Sequence, residues 1–440
     1  MFMLGERSWV PAGSERYIQT TAQRIAAQDA ETTEREILAL IRENRVIHEE
    51  ECVNLNPATN AMNPKAEAVL AQGLGSRPSL GYPGNKYEMG LEAVEKVEII
   101  AAQLAAEVFA ARFAEIRVPS GAIANLYVFM ATAKPGDTII APPASIGGHI
   151  THHAAGSAGV YGVLTHPASI DPQRYTVDVE ALRADAHRLR PKLITIGGSL
   201  NLFPHPIREI RQIADEVGAY VLFDAAHMCG MIAGHAWQQP LDEGAHVMTM
   251  STYKTLAGPP SGLIVTNDAE MAKRLDAIAY PGLTANFDAS KSASLAMTLL
   301  DWKQHGREYA AAMGKTALAL GNGLVERGIP VFARDRGITT SQQFAVEAAA
   351  YGGGQAAAKL LRRANILTCG IGLPIEAVEG DVNGLRLGSP EIVRWGMTPA
   401  DMPQLATFIA DVLNGIRAPE EVAKDVTAFR KEFKKLHFVR

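Results

Sequence analysis

A succession of short apolar runs separated by helix-forming stretches constrains this chain more than any other feature. DTIIAPP, GVYGVLTHP, PKLITIGG, AYVLFDAA, HVMTMST and GLIVTND follow one another between residues 137 and 268, most of them apolar without alternation. A strand with one face in water alternates, so continuous runs suit strands buried on both faces. Strands that alternate with helices then imply a mainly parallel sheet and an α/β domain. The amphipathic stretch LEAVEKVEIIAAQLAAEVFAARF leads into it. After residue 300 the pattern changes to one long helical stretch, DWKQHGREYAAAMGKTALALGNGLVERG, and then to IPVFA, QQFAVEAA and NILTCGIGL with helices between them. That reads as a smaller α+β domain. The first fifty residues read as helical, with Ile37, Leu38, Leu40 and Ile41 on one stripe. The expected division is a helical arm at 1–62, a large domain at 63–305 and a small domain at 306–440.

Composition narrows the function classes. A net charge of -5 offers no footprint for nucleic acid or an anionic membrane. No apolar stretch is long enough to span a bilayer, and the first residues, MFMLGERSWVPAG, lack the basic flank and apolar core of a signal peptide. Cys52, Cys229 and Cys369 lie far apart, which suits free thiols in a reducing cytoplasm. No G-x-G-x-x-G follows an early strand, which argues against a nicotinamide enzyme.

Several positions carry possible chemistry. In MSTYKTLAGPPSG, Lys254 follows an apolar strand among Ser251, Thr252 and Tyr253. A lysine there is either a structural cation or, when desolvated, an amine able to form a Schiff base. In VLFDAAH, Asp224 ends an apolar strand, where it serves as a helix cap or, at the carboxyl edge of a sheet, as a ligand to a cofactor nitrogen. Ser120 and Gly121 open a helix, a place where backbone amides can hold phosphate. His149, His152 and His153 cluster in SIGGHITHH without a carboxylate or thiol to complete a metal site, so stacking on a planar group is the better use of His149. Arg386 sits among apolar strand residues and needs an anion, for which a substrate carboxylate is suited; Arg394 reads as an internal ion pair. The loop SRPSLGYPGNKYEMG, residues 76–90, has no periodic stripe and reads as a binding loop.

These segments together resemble the serine hydroxymethyltransferase family. The matching stretches are GYPG at 81–84, SG at 120–121, SIGGHITH at 145–152, DAAH at 224–227, STYKTLAGP at 251–259 and LRLGSP at 385–390, in the family's order. The resemblance implies the fold-type-I architecture of pyridoxal phosphate enzymes and a homodimer that shares its active sites. Carried across by match, Lys254 bears the cofactor, Asp224 pairs with the pyridine nitrogen and His149 stacks on the ring. Ser120 and Gly121 hold phosphate, Ala122, Ser251 and Tyr253 also belong to the cofactor site, Ser199 and His227 lie near the ring hydroxyl, and Gly262 reaches the partner's phosphate. Arg386 grips the amino-acid carboxylate, and Thr59, Tyr82, Tyr87 and Glu88 complete the substrate site.

The departures from the family pattern bear on the reaction. Leu80 stands where the family keeps a glutamate needed for one-carbon transfer, and Pro78 where it has a tyrosine. Tyr87 is followed by Glu88 rather than a second tyrosine, and Cys369, Gly370 and Ile371 replace an Asn-Lys-Asn segment that helps hold folate. Ala58 replaces a carboxylate-binding serine, for which Thr59 is the neighbouring substitute. The expected reaction is therefore aldol cleavage without folate of a β-hydroxy-α-amino acid of the α-methylserine or serine type, releasing formaldehyde. The expected base for the β-hydroxyl is His149, with Glu88 or a water next. Folate-dependent hydroxymethyl transfer and a threonine-type aldolase are the alternatives.

Overall fold

The computed structural model describes residues 3–440. In it the apolar runs form strands β1 (Phe113–Val118), β2 (Thr138–Ala141), β3 (Leu164–Pro167), β4 (Leu193–Gly197), β5 (Tyr220–Asp224), β6 (Val247–Ser251) and β7 (Gly262–Thr266). They make one seven-stranded sheet in the order β1-β7-β6-β5-β4-β2-β3. The pairs from β3 across to β6 are parallel, while β7 runs antiparallel to both β6 and β1. Every residue of β4, β6 and β7 is buried, which is why those runs show no polar alternation.

The chain divides into two compact units, Met1–Cys52 and Val53–Arg440. In the first, helices Ala12–Ala26 and Ala30–Arg45 follow one another, and the Asp29 side chain caps the second by accepting from Thr32 N at 2.8 Å. The stripe of Ile37, Leu38, Leu40 and Ile41 is exposed. The second unit holds both the large sheet and a small antiparallel one made of β8 (Gln343–Glu347), β9 (Cys369–Ile371) and β10 (Gly384–Gly388), in the order β8-β10-β9. The expected domain boundary at 305/306 falls inside a continuous 38-residue helix, Ala289–Glu326. Its N-terminal turns are lined by the small polar residues Ser290, Ser292 and Ser294, all buried, which blur the apolar periodicity that marks the rest of the helix.

Three local readings change. In GVYGVLTHP only Leu164–Pro167 is strand; Val160 and Tyr161 finish the short helix Ser157–Tyr161, which Gly162 stops at φ +96°. NILTCGIGL splits into Ile366–Leu367, which pairs in parallel with Val53–Asn54, and the separate strand β9. The loop at 76–90 contains a small hairpin, Gly81–Tyr82 against Asn85–Lys86, turned by Pro83 and by Gly84 at φ +84°.

Candidate active site

Asp224 closes β5 opposite Gly197 of β4 and Thr249 of β6, and Ser251 ends β6 two residues later. Loops leaving this carboxyl edge enclose a cavity of about 120 Å³. Its lining contains Ser120, Gly121, Ala122, His149, Ser199, Asp224, His227, Ser251, Tyr253 and Lys254, together with Asn125 and Gly198. Ten of the eleven positions expected to hold a cofactor thus meet in one place. Gly262 is the exception: it is buried in β7, where a Cβ would stand 2.5 Å from the Ser120 carbonyl oxygen. A larger groove of about 670 Å³ runs beside β1, but there Arg117 is already paired with Glu115 and Asp276, at 2.6 and 2.5 Å.

Lys254 lies in the arch that joins β6 to β7. Thr252 pins this arch, its amide donating to Ser261 O at 3.0 Å and its carbonyl accepting from Gly258 N at 2.7 Å. Trp302, on the long helix, donates from Nε1 to Leu256 O at 2.7 Å. The lysine is left 7% exposed, with its Nζ 3.1 Å from His227 Nε2. Burial pushes its amine down to about 8, against the opposing pull of the Asp224 charge. Burial also holds the His227 imidazole well below its ordinary value, aided by the charges of Lys254 and Arg386. The neutral His227 ring therefore serves the lysine as a hydrogen-bond partner. Its own backbone carbonyl accepts from Gln342 Nε2 at 2.6 Å and Thr255 Oγ1 at 3.2 Å.

Asp224 is buried within a polar cluster. Burial raises the affinity of its carboxyl for a proton, yet the hydrogen bond from His152 Nε2 at 2.8 Å, and the charges nearby, hold it below the usual carboxylate range. Asn125 Nδ2 donates to the same oxygen at 3.1 Å, and Ala226 N donates to the other at 3.0 Å. Thr249 Oγ1 fixes Asn125 by donating to its Oδ1 at 2.6 Å. The sequence reading missed Asn125 and the partnership of His152 with Asp224. An amide buried in the otherwise apolar helix run AIANLYVFMA was the available signal, because a buried polar group needs a partner.

The turn Ile150–His152 separates the histidines. His149 faces the cavity, its Nδ1 2.8 Å from Thr151 Oγ1, and burial lowers its pKa. His153 Nε2 lies 3.0 Å from Pro142 O. Ser120 caps the helix Gly121–Thr132, its hydroxyl accepting from Ile123 N at 3.3 Å. Glycine is needed at 121 because a Cβ would stand 2.1 Å from Ser251 Oγ. The start of the helix is thereby held against the end of β6.

Arg386 occupies the middle of β10, buried, and donates from Nη1 to the Ser199 carbonyl, which borders the cavity. Thr59 accepts from Asn54 Nδ2 at 2.8 Å and does not line the cavity. Tyr82 donates to Asp276 at 2.8 Å, Tyr87 is 77% exposed, and Glu88 accepts from Leu80 N at 3.4 Å; none of the three lines it either. Arg394 forms a buried ion pair with Asp301 at 3.7 Å.

Comparison with known proteins bears on this constellation. A family model described as serine hydroxymethyltransferase matches residues 30–409. The chain belongs to the serine hydroxymethyltransferase family. Its large sheet is accordingly the fold-type-I sheet of pyridoxal phosphate enzymes, and the protein is an enzyme of the family's aldolase and transferase group. It is 67% identical over 438 residues to a protein of Ralstonia sp named Alpha-methylserine aldolase, covering 100% of both chains. It is 62% identical over 436 residues to another of that name from Variovorax paradoxus, covering 99% of each. A serine hydroxymethyltransferase of Staphylothermus marinus is 35% identical over 406 residues, 92% of each chain. Among the described residues no helix is long and apolar enough to cross a membrane.

Proposed function

We propose that this enzyme binds pyridoxal 5'-phosphate in the Lys254 cavity and cleaves α-methylserine to formaldehyde and alanine without folate. The observation that carries the reading is the level of full-length identity: 62–67% to proteins named for that reaction, against 35% for a transferase of the same family.

The donor set suits the cofactor. The helix start at Gly121 and the Ser251 hydroxyl offer hydrogen bonds to a phosphate, Lys254 offers an amine that is partly neutral near pH 8, and Asp224 offers a carboxylate that stays ionised. When bound, pyridoxal phosphate supplies an electron sink for the pair released as the Cα–Cβ bond breaks. Asp224 would pair with the pyridine nitrogen of the bound cofactor and favour its protonated form, and Asn125 and His152 fix the carboxylate's orientation. Arg386 takes the substrate carboxylate. Thr151 N donates to His149 Nδ1 at 3.3 Å and burial keeps the ring neutral, so the ring proton sits on Nε2, where it donates to the β-hydroxyl oxygen while a water, rather than the ring, takes the hydroxyl proton. Lys254 returns a proton to Cα once the aldehyde has left, which balances the one lost from the hydroxyl.

Leu80 supports the absence of folate, since an alkyl side chain cannot replace a carboxylate in handling protons. The working unit in this reading is a homodimer, with the loop carrying Tyr82, Tyr87 and Glu88 serving the neighbour's site. Its free thiols Cys52, Cys229 and Cys369 suit the cytoplasm. The test is purified enzyme with each isomer of α-methylserine, and with serine, in the presence and absence of tetrahydrofolate. Formaldehyde should form equally with and without tetrahydrofolate, accompanied by alanine from α-methylserine and by glycine from any serine that is cleaved. A requirement for folate would instead establish hydroxymethyl transfer, the second reading, which the family match over 30–409 favours.

A further inference from the structure

Arg386 does not stand alone in the small sheet. Its partner across the β9–β10 ladder is Cys369, and on the other side β8 presents the small residue Ala345. Two of the guanidinium nitrogens turn toward the thiol, Nε at 3.4 Å and Nη2 at 3.2 Å from Sγ, while Nη1 donates to the Ser199 carbonyl. The same sulfur lies 3.3 Å from Asn56 Oδ1, an oxygen that also accepts from Ala58 N at 3.0 Å.

The direction of every bond in this chain is fixed by chemistry. An arginine N–H only donates and an amide oxygen only accepts, so Cys369 must donate S–H to Asn56 and accept from Arg386. That assignment requires the neutral thiol, because a thiolate would face the Asn56 oxygen with no proton between them. Arginine has five N–H donors; two go to sulfur and one to Ser199, which leaves two, the number a carboxylate takes from an arginine fork.

We propose that Cys369 is the positioning residue of Arg386, holding the guanidinium so that its remaining donors meet the substrate carboxylate. The inference rests on the reading of Arg386 as the carboxylate site. A long, unbranched cation left without this partner samples other rotamers, and misplacement of a clamp by about 1 Å costs up to about a hundredfold. The effect is confined to ligands that carry the carboxylate.

The test compares holoenzyme of the wild type, Cys369→Ala, Cys369→Ser and Arg386→Gln. Binding of alanine and of alaninol, in which a hydroxymethyl replaces the carboxylate, is measured by calorimetry alongside kcat and KM. Cys369→Ala should weaken alanine and raise KM about tenfold, with kcat within about twofold and alaninol unchanged. Cys369→Ser keeps one donor and one acceptor at the same place and should restore most of the loss. Equal weakening of alanine and alaninol, or no change in either, would overturn the proposal for Cys369. If Arg386→Gln also leaves alanine binding intact, the carboxylate reading itself fails; if Arg386→Gln abolishes it while Cys369→Ala does not, only the positioning role falls.

Discussion

Lys254 should be a far better nucleophile than a surface lysine, and the size of the effect follows from its burial. A fall from 10.5 to about 8 disfavours the ammonium by roughly 2.5 pH units, about 3 kcal/mol at 1.36 kcal/mol per unit. At pH 7.5 about a quarter of the Lys254 amine is then neutral, against about one part in a thousand for an ordinary lysine. The assay is acylation of the cofactor-free protein by an amine reagent, with Lys254 followed by mass spectrometry as a function of pH. The half-point should lie near pH 8, and Asp224→Asn should move it lower, because the carboxylate stabilises the ammonium. The same shift enters folding. Between about pH 8 and 10.5 the folded chain binds fewer protons than the unfolded one at this site, so the destabilisation is complete below pH 8 and fades as pH rises to 10.5. Cofactor-free Lys254→Met should therefore gain stability at neutral pH, with the advantage fading at high pH. A half-point above pH 9.5, or a stability difference that ignores pH, would refute the account.

Replacing His152 by Phe removes a hydrogen bond to a buried carboxylate, a loss of about 1.5–3 kcal/mol. Because the Asp224 pKa is depressed in the folded state, that loss should be full at neutral pH and shrink as pH falls below about 4, which urea unfolding at several pH values reads directly. The cofactor affinity of the variant should fall, while Asn125 alone still holds one carboxylate oxygen. Gly121→Ala places a methyl 2.1 Å from Ser251 Oγ, so it should weaken cofactor binding by more than tenfold; retention of wild-type affinity would show that the helix start shifts without consequence.

Much of the site was legible because its residues sit in short contiguous motifs. STYK, DAAH and SG each combine a strand end or helix start with a polar group, and local rules place those reliably. His152 and Asn125 were not legible in that way. Each is separated by 72 or more residues from the Asp224 they hold, and neither has a local reason to point at it. The long helix was read from residue 301 rather than Ala289 because buried serines interrupt its apolar pattern.

The sequence by itself determined the α/β layer, the strand ends that carry Asp224 and Lys254, and the resemblance that brought the motifs into one order. Only the tertiary structure decided how charge is managed within the cavity. Whether Lys254 is neutral, whether Asp224 stays ionised and what holds Arg386 depend on burial and on partners from the loop after β4, from β9 and from the 149–152 turn. Electrostatic energies depend on distance through space and on the exclusion of water, neither of which is written in the order of residues along a chain.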